Sequence, residues 1–265
     1  MTSTVLITGS SSGIGKATAT LFTERGWNVA ATMRTPKPIE GLTGQENFVV
    51  LPLDVTKPDT ISKARDEAIK KFGRVDVLVN NAGYSLFGAF ESYTNEQLKQ
   101  QFDTNLFGLM NVTREFLPHF REQHSGTIIN VSSIGGRLTF PFFSAYHATK
   151  WAVEGFSESL QYELRPFKVR VKLIEPGPIK TDFYDRSLQP TRHEAYDVLM
   201  NKATPKIMES GKSAPGPEAV AKAIFGAATD NSNKLRYPVN AGFLILRKML
   251  SDEMFTNLMC RFAFN

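Results

Sequence analysis

The stretch STVLITGSSSGIGKAT, residues 3–18, decides how the rest of the chain is read. Val5, Leu6 and Ile7 form a short apolar run with the character of a buried strand. Glycines and serines fill residues 9–15 except for Ile14, and a helix-like pattern follows from Gly13. A glycine-rich turn between a strand and a helix points backbone N–H groups, and the positive end of the helix dipole, at a phosphate. Gly15-Lys16 looks like the end of a nucleoside-triphosphate loop, which needs G-x-x-x-x-G-K-[ST]. The spacing refuses it. Five residues separate Gly9 from Gly15, and Ala17 stands where the magnesium-binding hydroxyl is required. A dinucleotide loop needs glycine for a tight turn, for approach to the pyrophosphate and for close helix packing. Gly9-x-x-x-Gly13-x-Gly15 departs from the usual G-x-G-x-x-G, yet it keeps the strand–loop–helix context.

Working outward, strand-like and helix-like segments alternate. Strands are predicted over 4–8, 28–32, 48–53, 75–80, 126–133 and 169–176. Helices are predicted over 13–25, 57–72, 95–120 and 146–164. The strands are rich in Val and Ile and apolar on both faces, as in a parallel sheet covered by helices on both sides. Repeated strand–helix–strand units with right-handed crossovers give a doubly wound α/β Rossmann fold with about seven parallel strands. One domain spans 1–265. Prolines at 178, 190, 205, 215 and 217 mark 180–215 as a mobile substrate lid with short helices. A helix near 217–229, an edge strand at 235–239 and two amphipathic segments complete the chain.

The second strand ends AATMRTPK, with no acid between Glu24 and Glu40. An acid at that place binds a ribose 2′-hydroxyl, whereas an arginine accommodates a 2′-phosphate. Met33-Arg34 in the predicted turn, with Lys37 nearby, therefore selects NADP over NAD.

Tyr146 and Lys150 stand at i, i+4 in SAYHATKWAVEGFSESL and share one helix face. A tyrosine hydroxyl, with an ordinary pKa of about 10, is a poor base at neutral pH. A neighbouring ammonium favours the phenolate, and such a pair can pass a proton to or from a substrate oxygen. Ser133 ends the strand TIINVSS, and Asn80-Asn81-Ala82-Gly83 follows the fourth strand. Ligands in open parallel sheets bind beyond the carboxyl ends of strands. The Gly9 loop, the Asn81 segment, Ser133 and the Tyr146 helix would then meet at one sheet edge.

Composition narrows the remaining classes. Lys and Arg number 31 against 26 Asp and Glu, for a net charge of +5, but the basic residues are dispersed and mark no nucleic-acid surface. One cysteine, Cys260, excludes an internal disulfide and fits a reducing compartment. His119, His124, His147 and His193 show no metal-ligand spacing, and the first three fall near predicted element ends, where solvation or capping is the default. No window is long and apolar enough to span a membrane, and the N-terminus has no secretory pattern.

Taken in order, these motifs resemble the short-chain dehydrogenase/reductase family over about residues 3–182, and the hydroxysteroid and retinol branch at the end of the second strand. The resemblance implies a cofactor site of Gly9, Ser11, Ser12, Gly13, Ile14, Gly15, Arg34, Asp54, Val55, Asn81, Ala82, Gly83, Tyr146, Lys150, Pro176, Gly177, Ile179 and Thr181. It implies a catalytic set of Asn105, Ser133, Tyr146 and Lys150. In that set Tyr146 is the general acid/base, and Lys150 assists it and binds the nicotinamide ribose. Ser133 holds the substrate carbonyl, and Asn105 holds a water leading from Lys150 to solvent. No metal is implied. The expected reaction is NADP(H)-dependent interconversion of a ketone or aldehyde with an alcohol. The implied setting is a cytoplasmic homodimer or homotetramer acting on a small molecule. Tyr84, Phe87, Phe140, Phe142, Phe143, Phe183 and Tyr184 suggest an apolar substrate, with about half of them expected to fill core instead. The alternative is a non-catalytic NADP sensor or scaffold on the same fold. An intact acid–base set argues against it, because a sensor needs none.

Overall fold

In the computed structural model, which describes every residue except Met1, Asp182, Tyr184, Asp185 and Arg186, the chain runs as follows: β1 (Thr4–Ile7), α1 (Gly13–Glu24), β2 (Asn28–Met33), β3 (Phe48–Pro52), α2 (Pro58–Phe72), β4 (Val77–Asn80), β5 (Ser85–Phe87), α3 (Asn95–Phe102), α4 (Leu109–Gln123), β6 (Gly126–Val131), α5 (Ser144–Leu164), β7 (Val169–Pro176), β8 (Leu188–Pro190), α6 (Asp197–Lys212), α7 (Pro217–Thr229), β9 (Arg236–Val239), α8 (Gly242–Met249) and α9 (Asp252–Phe264). Seven strands form one sheet in the order β3-β2-β1-β4-β6-β7-β9, every pair parallel. The doubly wound sheet expected from the sequence is present. The order reverses direction between β1 and β4, the switch point at which such folds open a crevice.

Side-chain alternation explains why both faces are dry. Val5 and Ile7 pack with Phe22 of α1 and Val220 and Ile224 of α7. Leu6, between them, points the other way, into a layer with Ile61 and Ala64 of α2, Phe116 and Phe120 of α4, and Leu160 and Leu164 of α5. A period of two along each strand feeds both layers at once. Phe116 and Phe120 are fully buried, and truncating either to alanine would cost about 3–5 kcal/mol.

Three features depart from the sequence expectations. The helix expected over 95–120 is two helices joined by a π-helical turn at Asp103–Gly108. The hydrophobic pattern carries across the turn, so periodicity gives no sign of it. A small second sheet pairs β5 with β8 in parallel; its strands are three residues each, too short to register in the pattern. Within 180–215, α6 is a 16-residue helix that keeps Pro205 in its interior, rather than a set of short helices. The expected role of Tyr184 lies outside the described residues. Among the described residues, no helix is long and apolar enough to cross a membrane.

Candidate active site

The carboxyl ends of β1, β4, β6 and β7 meet at a cavity of about 610 Å³, a size typical of small-molecule and cofactor sites. At the floor, backbone outlines the shape. Gly9 has φ +70°, and a Cβ there would stand 2.9 Å from the Ala82 Cα. A Cβ on Gly15 would run into the Gly9 carbonyl. The loop can bend back onto β4 and α1 only with glycine at both places. Asn81 holds the bend from the other side: its Nδ2 donates to the Thr8 and Gly9 carbonyls at 2.9 and 3.1 Å, and its N–H to Thr8 Oγ1 at 3.0 Å.

Residues 11–14 carry the loop into α1. Ser12 stands at the N-cap, but its side chain makes no cap hydrogen bond, and the first turn carries no acid. The opening N–H groups of a 12-residue helix therefore face the cavity without a side-chain competitor, the arrangement that accepts a phosphate. Lys16 is exposed and does not line the cavity. Arg34 is exposed just beyond β2 and lines the cavity. Met33 belongs to β2 rather than to a turn, and its side chain is buried among core residues. The Asp54 carboxylate accepts from the N–H and hydroxyl of Thr56, which fixes it at the cavity wall beside Val55. Across the cavity, Pro176, Gly177, Ile179 and Thr181 form the wall after β7, and Thr181 Cβ lies 3.5 Å from a Cβ built on Gly13.

The chemical end lies one strand over. Ser133 follows β6 and caps a short 3₁₀ turn: its Oγ accepts from the Gly135 N–H at 3.0 Å and donates to the Pro176 carbonyl at 3.3 Å. Tyr146 and Lys150 rise from α5 on the same face, with the Lys150 Nζ 5.7 Å from the centre of the Tyr146 ring. Lys150 donates to the Val131 carbonyl at 2.8 Å. Burial pushes its pKa down to about 8 while Glu154 pulls the other way, so the ammonium persists at pH 7. Glu154 is itself pushed up by burial, against the pull of Arg236 and Arg137. Arg236 bridges it at 3.1 Å and the buried Glu175 at 3.3 Å, so Lys150 backs onto an ion cluster beneath the site.

Asn105 and Gly15 do not line the cavity. Asn105 is buried inside the π turn. Its Oδ1 accepts from Tyr84 N–H at 3.0 Å, and its Nδ2 donates to the Tyr84 carbonyl at 2.8 Å and to Thr149 Oγ1 at 3.3 Å. A Cβ on Gly83 would sit 3.2 Å from Asn105 Oδ1 and 4.0 Å from Lys150 Nζ, so this segment threads between them. π turns cluster at functional sites, and here one turns the Asn105 amide inward.

Of the aromatics singled out in the sequence, Tyr84, Phe140, Phe143 and Phe183 line the cavity, whereas Phe87 and Phe142 do not. Phe87 is buried against Phe142 and Phe143. Burial holds the Tyr84 hydroxyl neutral by pushing it up to about 12. The sequence reading missed the roof. Ile207 of α6, Phe243 of α8, and Phe262 and Ala263 of α9 close the cavity from above. The amphipathic pattern of the last two segments was the available signal, but it did not say which surface they cover. Of the two expected alternatives, solvation or capping, two histidines take the one in which the ring bonds backbone. His119 Nε2 accepts from the Val75 N–H at 3.1 Å, and His147 is buried with both ring nitrogens engaged.

The glycine cradle has the form of a dinucleotide site, and comparison with known proteins agrees on a nicotinamide-dependent oxidoreductase. The family model for short chain dehydrogenases matches residues 3–191. An uncharacterized oxidoreductase of Schizosaccharomyces pombe is 43% identical over 226 residues, covering 84% of this chain and 96% of that protein. A short-chain dehydrogenase from Streptomyces avermitilis superposes with a TM-score of 0.83 at 33% identity, over 98% of this chain and 92% of the other. The structure of ElxO with NADP bound superposes with a TM-score of 0.77 at 29% identity, over 92% of this chain and 100% of ElxO. With its glycine cradle and its seven parallel strands, the chain belongs to the short-chain dehydrogenase family of oxidoreductases, which take a nicotinamide cofactor.

Proposed function

We propose that the protein is an NADP(H)-dependent oxidoreductase that interconverts a ketone or aldehyde with the corresponding alcohol on a small apolar substrate. One observation carries this reading: Ser133, Tyr146 and Lys150 line the same cavity as the uncapped glycine loop and Arg34. The 9–15 loop and the start of α1 would hold the pyrophosphate. Arg34 would grip the 2′-phosphate with a guanidinium fork that a carboxylate could not replace. NADP bound to ElxO supports that choice. When bound there, NADPH would supply the hydride.

The chain's own residues supply the proton and the orientation. Ser133 Oγ–H, now spent on the Pro176 carbonyl at 3.3 Å, is free to turn to a substrate oxygen and stabilise charge developing there. Tyr146 donates the proton in reduction and accepts it in oxidation. The buried Lys150 ammonium steadies the negative charge left on the phenol oxygen. Asn105 fixes the Tyr84 backbone beside Gly83 and so holds the stretch of cavity wall that runs past Lys150. Phe140, Phe143, Phe243 and Phe262 leave the reactant an apolar berth.

The test is an NADPH-oxidation screen against aryl ketones, aliphatic ketones and aldehydes, with Tyr146→Phe as control. Turnover in the wild type that vanishes in the variant, while NADPH still binds, is the expected result. Silence across the panel with NADPH bound would overturn the reading.

A further inference from the structure

His147 follows Tyr146 directly and lines the same cavity. Its imidazole is buried, and it reaches across to the loop that carries Ser133. The Phe140 backbone N–H donates to Nε2 at 2.8 Å. A backbone amide can only donate, so Nε2 carries no proton. Nδ1, 2.9 Å from the Gly135 carbonyl, must then be the N–H, because a carbonyl can only accept. The two contacts together allow one neutral tautomer. Gly135 is also the residue whose N–H holds Ser133 Oγ, at 3.0 Å. A Cβ on Gly135 would lie 2.7 Å from His147 Nδ1, so loop and ring are in close contact.

We propose that His147 is a positioning residue: as the Nδ1–H tautomer it ties Gly135 and Phe140 to α5, and so sets Ser133 Oγ and the Phe140 wall relative to Tyr146. The role rests on the carbonyl-reductase reading, in which Ser133 holds the substrate oxygen. The ring neighbours of His147 are Phe140, Phe143 and Tyr146. The charged groups near it along the chain are Lys150, Glu154 and Arg137, and each bonds elsewhere, Glu154 to Arg236. Lys150 donates to the Val131 carbonyl, and Arg137 pairs with Glu175. Burial pushes the imidazole down to about 4, which keeps it neutral where the enzyme works.

Three variants separate the two bonds. His147→Asn keeps an amide N–H where Nδ1 stands and can still reach the Gly135 carbonyl. His147→Gln offers its amide oxygen near Nε2, toward the Phe140 N–H. His147→Leu offers neither. With NADPH and 4-nitrobenzaldehyde as the probe, His147→Leu is expected to lower kcat about tenfold or more, with NADPH affinity unchanged. His147→Asn is expected to recover to within about threefold of wild type, and His147→Gln is not. In a Ser133→Ala background His147→Leu is expected to add no further loss in kcat, because its effect on the proton-transfer step runs through Ser133, and the Phe140 wall is read in KM. A full additional loss there, or a kcat for His147→Leu close to wild type, would overturn the proposal. The tautomer has a readout that needs no turnover: long-range ¹H–¹⁵N spectra of the wild type should show Nδ1 protonated and Nε2 bare at pH 6–8. An Nε2–H signal or an imidazolium would overturn the proposal whatever the kinetics. If the wild type fails on every carbonyl while the Nδ1–H tautomer is seen, the carbonyl-reductase reading falls and the His147 tie stands as geometry alone.

Discussion

The floor and the roof of the cavity are built on different principles. The floor is backbone: strand ends, a glycine bend with a positive φ, and an asparagine that spends its amide on two carbonyls. It tolerates almost no change of side chain because the constraint is contact between main chains. The roof is side chain. Ile207, Phe243 and Phe262 close it from helices whose outer faces still expose Ile245, Met249 and Met254. Apolar packing of this kind accepts exchange at modest cost. A molecule that binds one invariant cofactor and some particular reactant needs that division: a floor that cannot drift and a roof that can.

The comparison can be broken at several depths. The deepest is Tyr146→Phe, expected to cut kcat about 10³-fold with NADPH affinity unchanged, since the lost proton transfer is worth that order. Stopped-flow turnover beside fluorescence titration of NADPH checks it. Next is Arg34→Ala, which leaves the buried Met33 untouched. Loss of a charge-assisted phosphate contact should lower kcat/KM for NADPH about 10- to 100-fold and leave NADH nearly unchanged. An unchanged NADPH/NADH ratio would detach the floor from the 2′-phosphate.

A pH test reads the join between floor and roof. In the fold His147 takes a proton near pH 4, against 6.5 ordinarily. On acidification the unfolded chain is protonated first, so this contribution is full above about pH 6.5 and is lost as pH falls toward 4. The span corresponds to about 3 kcal/mol. Urea unfolding of the wild type between pH 7 and 4.5 should show the decline, and His147→Asn should remove that part of the slope. The smallest effect belongs to the roof. Phe262→Ala should raise KM for an apolar ketone about two- to fivefold, with kcat nearly unchanged and about 1 kcal/mol lost in stability. A collapse of kcat would show that the roof shares the floor's rigidity.

What the sequence disclosed follows the same divide. Strands β1, β2, β4, β6 and β7 were legible because each is a short, mainly apolar run buried on both faces, rich in Val, Leu or Ile except in β2, where Ala takes their place. The glycine loop was legible because backbone constraint leaves glycine as its mark. Ser133, Tyr146 and Lys150 were legible because the ends of parallel strands and one helix face converge by topology. Asn105 was placed by its motif, but the π turn that aims it left no trace in the apolar pattern. His147 was passed over as one more histidine near an element end. The available sign was Gly135-Gly136 just after Ser133, a pair that leaves room for something to press against the loop. Phe243 and Phe262 could not be assigned to the cavity, because an amphipathic segment shows that it covers an apolar surface without showing which one.

The ribbon of β5 and β8 carries a consequence in time rather than in space. The Ser92 and Thr191 hydroxyls that meet at its end, 2.5 Å apart, come from positions 99 residues apart in the chain, and Thr191 N–H donates back to the Phe87 carbonyl. Contacts that close so long a loop form after the local strand–helix units have cut the search down. Under native fluctuation, contacts of this kind reopen before the central sheet does. The Thr191 amide therefore serves as a clock hand. Its protection against hydrogen exchange should be lower than that of the central strands, and so would report how readily this wall of the cavity opens while the sheet stays folded.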